Sequence, residues 1–359
     1  MRILGVLAAA MSLAAANAAA ADSRVVLVTL DGLRWQEVFR GAETALAEDP
    51  TYVEDRKAVK AAYLDPTDRK AALMPFLHEV VAKQGVLIGD RDNGSCARVT
   101  NDQWFSYPGY NEILTGRPDP AIRSNDPTPN ANVTVLEWLN RQPGFKGKVA
   151  AFTSWNVFPA IINAERSGVP VDAGMTTPKA RTSFEAALGR MQTQTPRIWA
   201  TVRFDVFTHN YALEALKRDK PRMVYISYGE TDDFAHEGHY GLTLDAARRT
   251  DGFLRELWTA LQADKAYGGK TTLIVTTDHG RGAGDKKGDW KSHGKVLWPR
   301  SDETWIAVIG PGVKAGLSKT PQCAGADQVA ATALTALGLD WKAFDPTAGA
   351  PLPIFEDPR

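Results

Sequence analysis

The chain has 359 residues, 44% of them hydrophobic and 23% charged, a balance that excludes a disordered or collagen-like polymer. Lys plus Arg number 42 and Asp plus Glu 42, so the basic excess of a nucleic-acid or anionic-membrane binder is missing. No nucleic-acid polymer is expected as a partner. The length suits two average domains, or one α/β domain with insertions.

The chain opens on a short basic start, Met1-Arg2, and residues 3–16 are almost all apolar. Ala16-Asn17-Ala18 and Ala18-Ala19-Ala20 both offer the small-x-small pattern of a cleavage site. Residues 1–20 therefore read as a secretory signal peptide, too short for the roughly 20 apolar residues of a membrane anchor. The Ala-rich leader points to a bacterial periplasmic or secreted protein without a membrane anchor. Cys96 and Cys323 are the two cysteines. In an oxidising compartment they pair or stay as separate buried thiols, and spacing alone does not choose.

Five short apolar runs follow, each ending abruptly: 25–30 (VVLVTL), 149–153 (VAAFT), 223–227 (MVYIS), 273–277 (LIVTT) and 305–309 (WIAVI). They are continuous rather than alternating, which is the mark of strands buried on both faces. Helix-like stretches lie between them at 135–141, 211–218, 244–262 and 326–337. The alternation predicts an α/β fold, a doubly wound, mostly parallel sheet with helices on both faces. Residues 21–359 read as one catalytic domain. Residues 42–68 and the proline-rich 118–132 read as loops or a lid over the sheet.

Open parallel sheets bind ligands outside the carboxyl ends of their strands. Asp31 follows the first run, Asp232 and His236 the third, and Asp278-His279 the fourth, with His293 on a Gly- and Lys-rich loop beyond. Three Asp and three His at one edge describe a divalent metal site, and mixed imidazole and carboxylate donors favour zinc. Six ligands exceed what one tetrahedral ion with an open position takes, and suit two ions roughly 4 Å apart. Asp233 competes with Asp232, and His239 with His236. Asp232 and His236, four residues apart, share a helical face. His78 and His209 read as structural. Arg281, Lys286, Lys287 and Lys291 read as a solvated charged loop.

Ser106 precedes a Pro-Gly turn and a short helix-like stretch, 106-SYPGYNEILTG-116. A hydroxyl at a helix N-terminus is placed to be ionised beside a metal, since the helix dipole favours an anion there.

These motifs resemble the alkaline phosphatase superfamily, and most closely its type I phosphodiesterase and nucleotide pyrophosphatase branch. The resemblance runs through 26-VLVTLDG-32, Ser106-Tyr107-Pro108-Gly109 with Leu114-Thr115-Gly116, Glu230-Thr231-Asp232 to His236, 277-TDHG-280 and 292-SHG-294. It implies that Asp31, Asp278 and His279 hold one zinc, which also meets Ser106, and that Asp232, His236 and His293 hold the other. It implies Ser106 as nucleophile and two in-line displacements through a phosphoserine intermediate. It places Asn125 near the phosphoryl oxygens. Two departures stand out: Gly109 replaces an Asn of the branch, and no Arg lies well placed after the nucleophile, Arg117 being a poor candidate. A sulfatase is disfavoured, because Tyr110 stands where its motif needs Arg. The expectation is an exported hydrolase of small-molecule phosphate esters, phosphodiesters or nucleotides slightly before monoesters. The alternatives are a phosphomonoesterase of alkaline phosphatase type and a metal-bound periplasmic binding protein without turnover.

Overall fold

The computed structural model describes residues 22–283, 286 and 288–356; the expected leader at 1–20 and Lys287 lie outside them. Ten strands are present among the described residues: β1 (Arg24–Leu30), β2 (Val86–Ile88), β3 (Ala97–Arg98), β4 (Val149–Thr153), β5 (Val171–Ala173), β6 (Met223–Tyr228), β7 (Thr271–Thr276), β8 (Glu303–Thr304), β9 (Ile306–Ile309) and β10 (Ala324–Gly325). Seven build one sheet in the order β2-β9-β7-β1-β6-β4-β5, and β10-β3-β8 form a small second sheet. Strand β1 is central and parallel to both neighbours, Leu27 lying level with Tyr225 of β6 and Ile274 of β7. Its side chains alternate between two cores. Val26, Val28 and Leu30 enter one cluster and Val25 and Leu27 the other. Burial on both faces is why the run reads as unbroken apolar sequence.

The α/β expectation holds, with one difference of direction. The run at 305–309 becomes β8 and β9 around Trp305, and β9 lies antiparallel to β7, Val275 opposite Ala307. Apolar content reports burial, not direction. Among its described residues the connection at 277–302 carries one short 3-10 turn and no crossover helix, and the chain returns antiparallel.

The longer helices are α1 (Ser106–Thr115), α2 (Val135–Arg141), α3 (Ser183–Gln194), α4 (Asp205–Asp219), α5 (Glu230–Glu237), α6 (Tyr240–Ala263) and α7 (Val329–Ala336). Helices α4 and α6 begin earlier than the apolar pattern suggested. Helix α3 was not expected, yet its start carries a capping box: Thr182 accepts from the Glu185 amide, and the Glu185 carboxylate accepts from Thr182.

Residues 42–68 are not plain loop. They hold helical turns at Thr44–Ala47, Arg56–Val59 and Lys60–Leu64, with Tyr52, Val53, Val59, Tyr63 and Leu64 in the core. Such short turns leave no readable period, since packing rather than propensity holds them. Residues 118–132 have neither helix nor strand but are strapped to α1. Tyr107 Oη donates to the Thr128 carbonyl at 2.6 Å, and Nδ2 of Asn130 and of Asn132 donate to Asn111 Oδ1 at 3.0 and 3.2 Å.

Cys96 and Cys323 are joined in a disulfide, Cα atoms 4.9 Å apart, beside the paired strands β3 and β10. Among the described residues no helix is long and apolar enough to cross a membrane.

His78 and His209, read as structural, are each held by contacts within the fold. His78 Nε2 meets the Val38 carbonyl at 2.7 Å. His209 is stacked on Phe253, ring centroids 4.3 Å apart, and bonded to Tyr228 Oη at 2.9 Å. Burial, opposed by Glu256, pushes the His209 imidazole down to about 4. The unfolded chain then binds a proton near pH 6.5 that the folded chain refuses, so stability is full above that pH and falls as pH drops toward 4. Denaturation between pH 7 and 4.5 is expected to show this loss, and His209→Phe to flatten the slope by about 1.4 kcal/mol per pH unit. An unchanged slope in the variant would assign the acid sensitivity elsewhere.

Candidate active site

The site is built on the ends of three adjacent strands, β6, β1 and β7. Asp31 follows β1, and its amide donates to the Tyr228 carbonyl at the end of β6, at 2.9 Å. Gly32 turns the chain with φ +58°, and its amide donates to Asp278 Oδ1 beyond β7 at 3.1 Å. A Cβ at Gly32 would lie 2.5 Å from Asp232 Oδ1, so only glycine fits between the carboxylates. Thr231 Oγ1 donates to the Asp31 carbonyl at 2.5 Å and ties α5 to β1. Asp31, Asp232 and Asp278 are thereby forced together.

Helix α1 brings the hydroxyl. Ser106 is its first residue, and Ser106 Oγ lies 3.3 Å from His279 Nε2. Gly109 permits this, because a Cβ there would lie 2.2 Å from the Asp278 carbonyl oxygen. The glycine that departs from the branch pattern is therefore where α1 meets the end of β7. One turn after Ser106, Tyr110 Oη donates to Asp31 Oδ2 at 2.8 Å and accepts from Ser227 Oγ at 3.4 Å. Glu112 is fully buried and accepts from the Thr100 and Asn101 amides at 2.7 and 2.8 Å, which fixes the segment leading into Ser106.

Two groups of donors result. Asp31, Asp278 and His279 form a buried set, with His279 Nε2 3.3 Å from both Asp31 Oδ1 and Asp278 Oδ2. Asp232, His279 and His293 form the second. His236 stands at its outer edge, 41% exposed, its Nε2 3.1 Å from Asp232 Oδ2 and 3.0 Å from His293 Nε2. His279 is thus shared between the groups. Asp233 and His239 are not in either. Asp233 Oδ2 lies toward Gly229, and His239 faces Glu237 at 3.8 Å.

The donor set fits a divalent metal on three observations. Asp31 Oδ1 and Asp278 Oδ2 are buried without a hydrogen-bond partner among the described residues, a costly state unless a cation meets them. His279 Nδ1 lies 2.8 Å from the Gly280 carbonyl; a proton there leaves Nε2 as the lone-pair side facing the acids. Burial, then Asp232, pushes the Asp31 carboxyl up, and burial, then Asp31, pushes Asp278 up, so the acids repel one another. Asp232 differs: burial opposes its charge, but Arg281 and His236 prevail and hold it well below the usual carboxylate range.

Arg281 is the largest correction to the sequence reading. It is 2% exposed, not a solvated loop cation, and it pairs with the Asp232 carboxylate. Arg117 is turned away, Nε lying 3.1 Å from Asp345 and Nη2 donating to Asn132 Oδ1 at 3.1 Å. Asn125 does reach α1: its Oδ1 accepts from the Tyr107 amide at 2.9 Å. Tyr110 and Arg281 were passed over as site residues. Tyr110 had a readable signal, one helical turn from Ser106.

Residues 97–329 match the profile of the type I phosphodiesterase / nucleotide pyrophosphatase family. The chain belongs to that family. The matched span contains the Ser106, Asp232, His236, Asp278, His279 and His293 positions, while Asp31 precedes it. A 140-residue stretch, 36% of the chain, is 30% identical to a Leptospira interrogans sequence described as a probable 2,3-bisphosphoglycerate-independent phosphoglycerate mutase. That stretch covers 24% of the relative, so the chain spans about a quarter of the curated relatives it matches. Among solved structures, an alkaline phosphatase superfamily protein from Vibrio parahaemolyticus superposes with a TM-score of 0.53 at 14% identity, covering 91% of this chain and 69% of that one. A phosphonate monoester hydrolase from Silicibacter pomeroyi gives 0.55 at 14% identity over 92% and 76%. A putative sulfatase from Bacteroides thetaiotaomicron gives 0.57 at 12% identity over 89% and 71%. These likenesses establish the alkaline phosphatase-like fold.

Gly109→Ala is expected to push α1 off β7 and part Ser106 from His279. The cost should be about 1–3 kcal/mol, read as a lower denaturant midpoint. A midpoint equal to wild type would refute the close contact.

Proposed function

We propose that the protein hydrolyses phosphoric esters with Ser106 as nucleophile beside two divalent metal ions, zinc by its donor set, and prefers phosphodiester or nucleotide-type substrates. The observation that carries this reading is the meeting of Ser106 Oγ with His279 Nε2, the atom on which Asp31 and Asp278 also converge. Asp31, Asp278 and His279 would hold one ion, and Asp232, His236 and His293 the other. When bound, such ions act as Lewis acids that lower the pKa of hydroxyls and water and stabilise charge on oxygen.

The chain's own residues do the rest. Ser106 Oγ gives up its proton and attacks phosphorus; the Oγ–P bond forms, the P–O bond to the leaving alcohol breaks, and the alcohol takes up a proton in place of the one the serine lost. Water then attacks the phosphoseryl group, releases the phosphate product and restores the serine. The N-terminus of α1 directs its positive dipole end at the charge that develops. Asn125 supports binding of the phosphoryl oxygens. With its Oδ1 engaged by the Tyr107 amide, the Nδ2 group remains as donor. Tyr110 orients Asp31.

The preference for diesters rests on charge. Arg117 is paired elsewhere and the charge of Arg281 is balanced by Asp232, so neither guanidinium brings a net positive charge to the second negative charge of a monoester. Three carboxylates and one guanidinium carry minus two; two dications bring the site to plus two, and an ionised Ser106 to plus one. That matches a singly charged diester. Tyr110 on Asp31 also speaks against sulfatase chemistry, since it fills the position a sulfatase gives to Arg. Export to the periplasm is supported by the Cys96–Cys323 disulfide together with the apolar start of the sequence.

Ser106→Ala is expected to lower hydrolysis of an aryl phosphodiester by about a thousandfold or more while two metal equivalents stay bound by elemental analysis. Undiminished turnover would reject Ser106 as nucleophile. Parallel rates on aryl monoester, diester, phosphonate and sulfate esters test the preference, which fails if the monoester is fastest. No turnover on any ester by the metal-loaded wild type would leave a binding protein.

A further inference from the structure

Arg281 has no step in the reaction above, yet it pairs directly with Asp232, one of the candidate metal ligands. Its Nη2 donates to the Asp232 main-chain carbonyl at 2.9 Å and to the Asp232 carboxylate. Its Nη1 donates to the Lys291 carbonyl at 2.7 Å, two residues before His293. Its Nε is buried with no partner among the described residues. That Nε faces the site: a Cβ placed on Gly32 would lie 3.1 Å from it, 3.1 Å from His279 Cε1 and 2.5 Å from Asp232 Oδ1. A buried guanidinium donor thus opens on the same small space as the candidate ligands.

We propose that Arg281 makes the second metal position anion-dependent: the ion held by Asp232, His236 and His293 binds weakly alone and tightly together with a phosphoryl-type oxyanion. The proposal rests on the metal-centre reading above. The first group holds two carboxylates and one imidazole. Its two negative charges balance one dication. The second group holds one carboxylate, and Arg281 cancels it. Its imidazoles are neutral when they ligate. A second dication therefore arrives uncompensated in a partly desolvated site, where charge is poorly screened. An oxyanion supplies the missing negative charge, and the Arg281 Nε proton is a donor without an acceptor until it does. Arg does not deprotonate in proteins, so the effect persists across the working pH range. Linkage requires the converse as well: the second ion tightens the oxyanion by the same factor.

The test is a Co²⁺ titration of the metal-free, full-length protein, followed by visible absorbance and calorimetry, with and without phenylphosphonate, an oxyanion that is not hydrolysed. Wild type is expected to take one ion tightly and a second at least about tenfold more weakly, with phenylphosphonate closing that gap. Arg281→Met, uncharged and of similar length, is expected to tighten the second ion about tenfold without the oxyanion and to lose the phenylphosphonate effect. Arg281→Lys keeps the charge and should keep the wild-type pattern. Two equally tight ions in wild type, indifferent to phenylphosphonate, would overturn the proposal and leave the metal centre standing. Loss of the second ion in both variants alike would also overturn it, making Arg281 only a clamp between Asp232 and Lys291. Failure of wild type to bind any Co²⁺ would overturn the metal-centre reading, and the proposal with it.

Discussion

Crowding of Asp31, Asp232 and Asp278 at the ends of three neighbouring strands is the constraint on which the structure turns. Burial and mutual repulsion make this arrangement unfavourable by itself, and push two of the three carboxyls up. Backbone bonds impose it nonetheless. The Asp31 amide is tied to β6, the Gly32 amide to Asp278, and the Asp31 carbonyl to Thr231. A protein that holds three acids together against repulsion, with one guanidinium to compensate, has surrendered stability at a site where cations would restore it.

The hydroxyl is delivered by a second device, the approach of α1 to the end of β7. Gly109 removes the atom that would keep them apart, and Tyr110 on the same helix grips Asp31. The strap at 118–132 holds α1 from the other side through Asn111 and Tyr107, and carries Asn125 to the helix N-terminus. Ser106, the first donor group and Asn125 are therefore parts of one hydrogen-bonded arrangement rather than three independent loops.

The second donor group is built differently. It lies on α5 and on the loop reaching His293, the imidazole at its outer edge, His236, is solvent-exposed, and its carboxylate is shared with Arg281. One buried, doubly charged group beside a partly buried group whose carboxylate is neutralised by Arg281 gives the two halves of the site unequal demands for a cation. This asymmetry is where the protein's response to its substrate's charge would reside.

Much of this was written locally in the chain. Strands buried on both faces are mostly apolar along their length, so β1, β4, β6 and β7 were legible as runs. Residues just beyond such strands must lie at the sheet edge, so Asp31, Asp232, Asp278 and His279 were legible as a set, and Ser106 as the start of α1. What stayed hidden depends on neighbours far away in sequence. The antiparallel course of β9, the helical turns within 42–68, the joining of Cys96 to Cys323, the burial of Arg281 against Asp232 and the marginal place of His236 all follow from which distant surfaces meet. A residue's type and spacing report what it needs, but whether an arginine is solvated or locked on a carboxylate is set only by the segments that close around it.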